Sequence, residues 1–569
     1  MVMLKQGNMR DITILIGIAL VCYIPALFNG FVNYDDPTLL FENALIQTFS
    51  FENTGRIFAE ILSGHYSRFN PLVFIAYALI YRFAGFDAFW FHAASILFHT
   101  GGTVMVYLLA REMTRNARLS LICALLFAVH PIHVEPVAWA SALTHVMYAF
   151  FYLCSAYVFH GALHKEKRRA AWVALSFLLF VLAGASFSGG AMTLPLILAL
   201  LMPLQPGTSH KKLAIWLSPF FALSGYFAYL TIHTAKSADV ITNPYFNIGQ
   251  YPFFERVNQS VVSLLYYIKQ TLFPYSYSIV YPEGYFIPFG NGVVTASFML
   301  FTILAAVSRK RFFRLQYFTA GFLFFIIAIA PFLKIYSTSD SIINDRYVYL
   351  ASFGLFLILA EIIDRTLTSK RKTFQPVALV LSASLGYLVI NTWTMSLNWR
   401  NGEMLWSQAI KMYPRAYPSY VGRAKYFYAQ KEFAKTLADC DRALAYNPNY
   451  VDALSLKGLV SMTMGMYEEA IGMYSRVLEQ ERENISALNN RGAAFLLLGQ
   501  TEKAVMDFNR SLGLKSGQVD VLYNRGVAYF QSKLFAEAMR DLKSVLAENP
   551  DFQPAQEKID EIKVILREQ

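Results

Sequence analysis

Residues 485–518 read ISALNNRGAAFLLLGQTEKAVMDFNRSLGLKSGQ, and residues 519–552 read VDVLYNRGVAYFQSKLFAEAMRDLKSVLAENPDF. Laid over one another, Gly492 falls on Gly526, Ala504 on Ala538 and Phe508 on Leu542, a period of 34. The same period runs upstream through Gly458, Ala470 and Tyr474, and through Ala424, Thr436 and Cys440. Pro448 and Pro550 are 102 residues apart, three such periods. Small residues at fixed places let two antiparallel helices cross closely, the bulky partner fills the gap beside them, and a proline marks the turn to the next pair.

This is the tetratricopeptide pattern. Four units fit, at 417–450, 451–484, 485–518 and 519–552, with a capping helix at 553–569. Gly402, Trp406, Ala409 and Pro414 match the second half of an earlier unit, so the repeat domain is expected to occupy 399–569. Such a solenoid presents a concave face to peptides and implies no catalysis of its own.

Working outward, composition changes sharply before the repeats. The 569-residue chain is 56% hydrophobic and only 15% charged, against about 25% in soluble domains. Residues 400–569 hold 22 Lys+Arg and 21 Asp+Glu, whereas 1–399 hold 27 and 17. The first two thirds is therefore sparsely charged and basic, which excludes an ordinary soluble enzyme and disorder. Residues 1–398 are expected to be a polytopic membrane domain. Its spans, at about 20 apolar residues each, are 12–30, 88–110, 119–139, 142–162, 170–187, 190–205, 212–232, 291–307, 315–333, 346–363 and 374–396. The first is read as a retained span, because no small-residue cleavage site follows it. Six basic clusters share the cytoplasmic side if two weaker stretches, 70–84 and 256–273, lie at the interface instead of crossing. These clusters are Lys5/Arg10, Arg111/Arg115/Arg118, Lys165/Lys167/Arg168/Arg169, Lys211/Lys212, Arg309/Lys310/Arg311/Arg314 and Arg365/Lys370/Arg371/Lys372. The fold class is thus all-α, about eleven spans followed by a solenoid. The N-terminus is placed in the cytoplasm and the repeats outside it. The net charge of +11 follows from this topology, so nucleic acid is not an expected partner.

Polar groups are expensive at membrane level and mark candidate sites. Three clusters stand out. Asp35 and Asp36 follow the first span, where paired carboxylates suit a general base, or cap the helix that begins at Pro37. His130-Pro-Ile-His-Val-Glu-Pro136 lies at the outer end of the third span; His130 and His133 there read more readily as bonded turn residues than as zinc ligands. Asn344-Asp-Arg-Tyr-Val-Tyr349 opens the tenth, where Arg346 can fork onto a phosphate or pair with Asp345. Cys22, Cys123, Cys154 and Cys440 form no disulfide framework or zinc spacing. No phosphate-binding glycine loop, dinucleotide fingerprint, HExxH or GxSxG is present; no cofactor is expected, and nothing in the sequence requires a metal.

Taken in order, these clusters and Tyr66-Ser-Arg-Phe-Asn-Pro-Leu72, Phe91-His92, Leu97-Phe-His99 and the terminal repeats resemble one family. It is the transmembrane-and-tetratricopeptide-repeat (TMTC-type) O-mannosyltransferases with their bacterial relatives, among the GT-C glycosyltransferases. The resemblance implies an inverting transferase that moves a sugar from a polyprenyl-phosphate carrier to an extracytoplasmic acceptor, a protein hydroxyl. The family's acidic pair matches Asp35 and Asp36. Its His-Pro-x-His-x-Glu matches His130, Pro131, His133 and Glu135, and its Arg-Tyr-x-Tyr matches Arg346, Tyr347 and Tyr349. By that match Asp35 and Asp36 are catalytic, Arg346, Tyr347, His130, His133 and Glu135 hold the donor, and the concave face of the repeats holds the acceptor polypeptide. Many relatives carry Lys-Glu near Ser188-Gly189 and an arginine near Thr144; this chain has neither. The short repeat array suggests a bacterial inner membrane. The alternative is a non-catalytic membrane anchor whose repeats assemble envelope proteins, and a weaker one is a lipid-linked glycan ligase or flippase.

Overall fold

The computed structural model describes residues 6–63, 69–163, 168–201, 210–237, 252–275, 277–279, 281, 317–333, 343–369 and 371–568. Every regular element among them is helical. Two compact units emerge, Met1–Tyr413 and Pro414–Gln569.

In the first unit, five helices are long and apolar enough to cross a membrane: Ala88–Thr114, Ala140–Leu163, Arg169–Ser186, Ala214–Ala235 and Gln375–Leu397. Ala117–Val129 and Pro131–Ala138, bent by 51° at the break between them, are long and apolar enough only when taken together. The bend has a local cause. Pro131 has no N–H to continue the ladder and its ring drives His130 out of the helical region, to φ −75 and ψ 127. These helices make the unit a multi-pass membrane domain.

The expected count of eleven spans exceeds this. Candidate 12–30 is a helix only over Gln6–Cys22 before Pro25 starts a tighter turn. Candidates 190–205 and 315–333 form shorter apolar helices within Ser188–Leu201 and Phe318–Phe332, and 291–307 lies outside the described residues. Candidate 346–363 begins as a 3-10 turn at Asp345–Val348, and its helix runs over Ser352–Ser369. That helix carries Glu361, Asp364 and Arg365, with Arg365 paired to Glu361 and Arg118 to Asp364. The weaker stretches are helices too, Pro71–Ala84 and Phe253–Leu272. Helix Phe318–Ile329 crosses Ser352–Ser369 where Gly321 meets Gly354; a methyl on either would run into the other's backbone carbonyl.

The contact division falls at 413/414, later than the 398/399 boundary expected from composition. Helix Gly402–Met412 buries Leu405, Trp406 and Ala409 in the core of the first unit. Trp406 Nε1 donates to Asn33 Oδ1 at 3.1 Å. All of the half-repeat pattern but Pro414 therefore packs with the first unit.

In the second unit the 34-residue period appears as helix pairs: Tyr417–Ala429 with Phe433–Tyr446, Val451–Thr463 with Tyr467–Gln480, Ile485–Leu497 with Thr501–Leu514, and Val519–Gln531 with Phe535–Glu548. Helix Gln553–Glu568 follows. Gly458 faces Tyr474, Gly492 faces Phe508 and Gly526 faces Leu542, the small and bulky positions read from the sequence. Three pairs are locked by a two-pronged arginine: Arg423 on Asp439 (2.7 and 2.8 Å), Arg491 on Asp507 (2.8 Å twice) and Arg525 on Asp541 (2.7 and 2.8 Å). The second pair has Lys457 and Met473 at those places. Lys457 turns instead to Asp441 at 2.8 Å and Glu469 at 3.6 Å.

Candidate active site

The loop after the first helix is pinned before it reaches the carboxylates. Asn29 Nδ2 donates to Ser396 O at 2.9 Å, and Gly30 N to Arg400 O at 3.0 Å. Asp36 then turns inward and is 1% exposed. Its Oδ2 accepts Val32 N at 2.7 Å, and its Oδ1 accepts Trp139 Nε1 at 2.8 Å together with the Ser141 hydroxyl. Burial pushes its carboxyl up to about 6, against the pull of those donors. Asp35 is only half-buried and sits within electrostatic reach of Arg346. The two adjacent carboxylates therefore have different surroundings. Asp36 closes the loop around its own backbone, and Asp35 is the more exposed of the two.

Arg346 is held by Glu135. Glu135 Oε2 accepts the backbone N of Arg346 at 2.9 Å, and its Oε1 accepts Nη1. The two side chains are 7% and 4% exposed. The guanidinium lies over the Trp139 ring at 5.4 Å and the Tyr347 ring at 5.3 Å. Tyr347 in turn stacks on Phe332, centroids 4.7 Å apart. The expected alternative partner, Asp345, is elsewhere: it accepts Tyr281 OH at 2.6 Å and Tyr266 OH at 3.4 Å. Burial, and then the nearby Glu135, raise its carboxyl well above the ordinary range.

The histidines are occupied by the scaffold. His130 Nδ1 accepts Ile132 N at 3.2 Å and Nε2 meets Thr271 O at 3.0 Å. His133 bridges Phe127 O at 2.9 Å and Ser352 Oγ at 2.9 Å. With both nitrogens of each ring bonded, the pair shapes the turn that delivers Glu135 to Arg346. Glu135, Arg346 and Tyr347, by contrast, come together directly. Tyr349 faces the other way, its OH 2.8 Å from His99 Nδ1. His92 Nε2 reaches Gly30 O at 3.4 Å, steadying the loop.

At the two places where the resemblance implies a cation, this chain has hydroxyls held by neighbouring polar groups. Ser188 Oγ lies 2.8 Å from Thr231 Oγ1, and Thr144 Oγ1 accepts Asn70 Nδ2 at 3.4 Å. Residues 66–68 of the Tyr66–Leu72 motif lie outside the described residues. Among the described residues no three His, Cys, Asp or Glu side chains converge on a metal position. Sequence reasoning missed Trp139 and Ser141, a few residues beyond the histidine motif, and the tyrosines on Asp345. Their signal lies only in the fold.

Comparison with known proteins agrees with the resemblance. The chain is 24% identical over 477 residues to the protein O-mannosyl-transferase F38B6.6 of Caenorhabditis elegans, covering 79% of this chain and 63% of that one. It is 22% identical over 458 residues to human protein O-mannosyl-transferase TMTC4, covering 70% and 61%. The chain thus spans under two thirds of the length of these relatives. The tetratricopeptide repeat family matches residues 455–519. Among solved structures, YrrB, described as a TPR protein with an unusual peptide-binding site, is 18% identical over 34% of this chain and 96% of that one, with a TM-score of 0.26.

Proposed function

We propose that this relative of the protein O-mannosyl-transferases is itself an inverting, GT-C-type glycosyltransferase. It takes a sugar from a polyprenyl-phosphate donor and places it on a protein hydroxyl outside the cytoplasm. The observation that carries the reading is a half-buried Asp35 within electrostatic reach of a buried, carboxylate-held Arg346.

Asp35 removes the proton from the acceptor hydroxyl. The freed oxygen bonds to the anomeric carbon on the face opposite the phosphate. The anomeric C–O bond breaks, and the polyprenyl phosphate departs with the electron pair. Arg346 meets the charge that builds on it. Asp36 has no oxygen turned outward and keeps the loop in shape. The scheme calls on no metal. The repeats hold the acceptor polypeptide on their concave face. In this reading the chain has about eleven spans in a bacterial inner membrane, with the N-terminus cytoplasmic and the repeats periplasmic.

The test is mass spectrometry of exported glycoproteins from cells with the wild type, with Asp35→Asn, and without the protein. Sugar modification that vanishes in the last two supports the transferase. Modification unchanged by the removal of the protein sinks it and leaves the membrane-anchored scaffold ahead.

A further inference from the structure

Immediately before the acidic pair stands Tyr34. Two indoles hold its ring: Trp139, with centroids 5.3 Å apart at 47°, and Trp406, 5.8 Å away and edge-on at 74°. The backbone on its N-terminal side is pinned as well. Val32 N donates to Asp36 Oδ2 at 2.7 Å, and Asn33 Oδ1 accepts Trp406 Nε1 at 3.1 Å. The Tyr34 side chain is part-buried, and among the described residues its hydroxyl forms no hydrogen bond. A phenol fixed in this way, with its O–H unspent on the protein, is set for a ligand.

Its surroundings select the ligand. One indole, Trp139, touches the Tyr34 ring and also lies under the Arg346 guanidinium at 5.4 Å. Tyr34 is within electrostatic reach of Arg346, and of Asp35 and Glu135. A phenol beside a cation turns its oxygen toward the positive charge and its O–H away. That O–H then points where an anion seated on the cation can accept it. Burial raises the phenol above its ordinary range, so it keeps its proton and acts as a donor, not as a second base. Arg346 needs such help. Glu135 already takes Nη1 and offsets the guanidinium's charge, and the places where the resemblance implies further cations hold Ser188 and Thr144.

We propose that Tyr34 is a second ligand of the lipid phosphate, its O–H donating to one phosphate oxygen while Arg346 meets another. The proposal rests on the transferase reading, which supplies that phosphate. A neutral donor adds to the stabilisation of the phosphate without repelling Arg346. As the anomeric C–O bond breaks, negative charge grows on the departing phosphate and the contact strengthens. Binding of the phosphate itself is measured without turnover.

The test uses the full chain in nanodiscs, with undecaprenyl phosphate and undecaprenol as probes of equilibrium binding. Tyr34→Phe keeps the ring against both indoles and removes only a hydroxyl that bonds no described residue, so the unfolding midpoint should not move. The wild type should prefer the phosphate to the alcohol. Tyr34→Phe should weaken phosphate binding about ten- to a hundredfold, as loss of a hydrogen bond to a charged group does, and leave the alcohol unchanged. A Tyr34→Phe protein with wild-type phosphate affinity overturns the proposal. Equal weakening of both probes also overturns it, because that marks a packing role. Arg346→Ala separates the two readings. If it weakens the phosphate and Tyr34→Phe does not, the donor reading stands and Tyr34 is removed from it. If the wild type binds both probes alike, the phosphate site and the donor reading fall together.

Discussion

Glu135 grips Arg346 at two points, accepting Nη1 through Oε1 and the backbone N through Oε2. The guanidinium is thereby tied to the turn at Asp345–Val348 that carries it. Glu135→Ala leaves a buried cation without its counter-charge, a loss of about 3–5 kcal/mol. Glu135→Gln keeps one acceptor and should cost less. Thermal unfolding in detergent checks both, and an alanine variant as stable as wild type would show that the turn does not depend on the pair.

The adjacent carboxylates should fail differently. Asp35→Asn should lower transfer about 10²–10⁴-fold, as loss of a general base does, with thermal stability unchanged. Asp36→Asn loses one acceptor among three donors and should lower stability by about 1–3 kcal/mol, with a milder effect on transfer. Transfer rate per folded protein separates the two. If Asp36→Asn abolished turnover in a fully stable protein, the base would have to be reassigned.

Acidity offers a second handle on Asp36. Its folded pKa of about 6 lies above the unfolded value of about 3.9, so the folded protein holds the proton more tightly. The stability this provides is full below about pH 4 and lost as pH rises through about 6. The stability difference between wild type and Asp36→Asn should therefore shrink from pH 4.5 to 7.5. A difference that grows with pH would mean that the three donors outweigh burial.

Arg346→Lys keeps the charge but gives up the planar fork and the stacking between Trp139 and Tyr347. Half-maximal transfer should then need about tenfold more lipid donor, and Arg346→Ala more still. Transfer rate against donor concentration, at matched folded protein, is the measurement. A lysine variant with the wild-type donor dependence would remove Arg346 from the phosphate.

In the repeats, a methyl added at Gly492 would lie 2.7 Å from Phe508 Cε1, and one at Gly526 would lie 3.1 Å from Leu542 Cγ. Gly492→Ala should cost about 1–3 kcal/mol through overpacking, and Gly526→Ala less, because the neighbour is further away. Unfolding midpoints of the two variants decide the order.

The repeats were the most legible part of the chain, because Gly492 and Phe508 meet within one 34-residue unit and the pattern recurs around them. The site was legible in its residues and not in its pairings. Nothing near Asp35 and Asp36 says which turns inward; that is decided by Trp139 and Ser141, about a hundred positions away. Arg346 has Asp345 beside it in sequence, yet Tyr281 and Tyr266 claim Asp345 and leave the arginine to Glu135. Hydropathy also ran residues 346–363 as one stretch, where the structure has a 3-10 turn at Asp345–Val348 and then helix Ser352–Ser369. It senses apolar content and not backbone path, so it passed over the tight turn before Ser352.

Lys457 and Met473 interrupt the row of arginine forks in the repeats. In a stack where each layer touches only its neighbours, elastic strain gathers at the least braced joint. The second helix pair, held by the flexible Lys457 in place of a planar fork, is that joint. A single ammonium contact fixes orientation less firmly than a planar fork, so bending of the solenoid under load should concentrate at this pair.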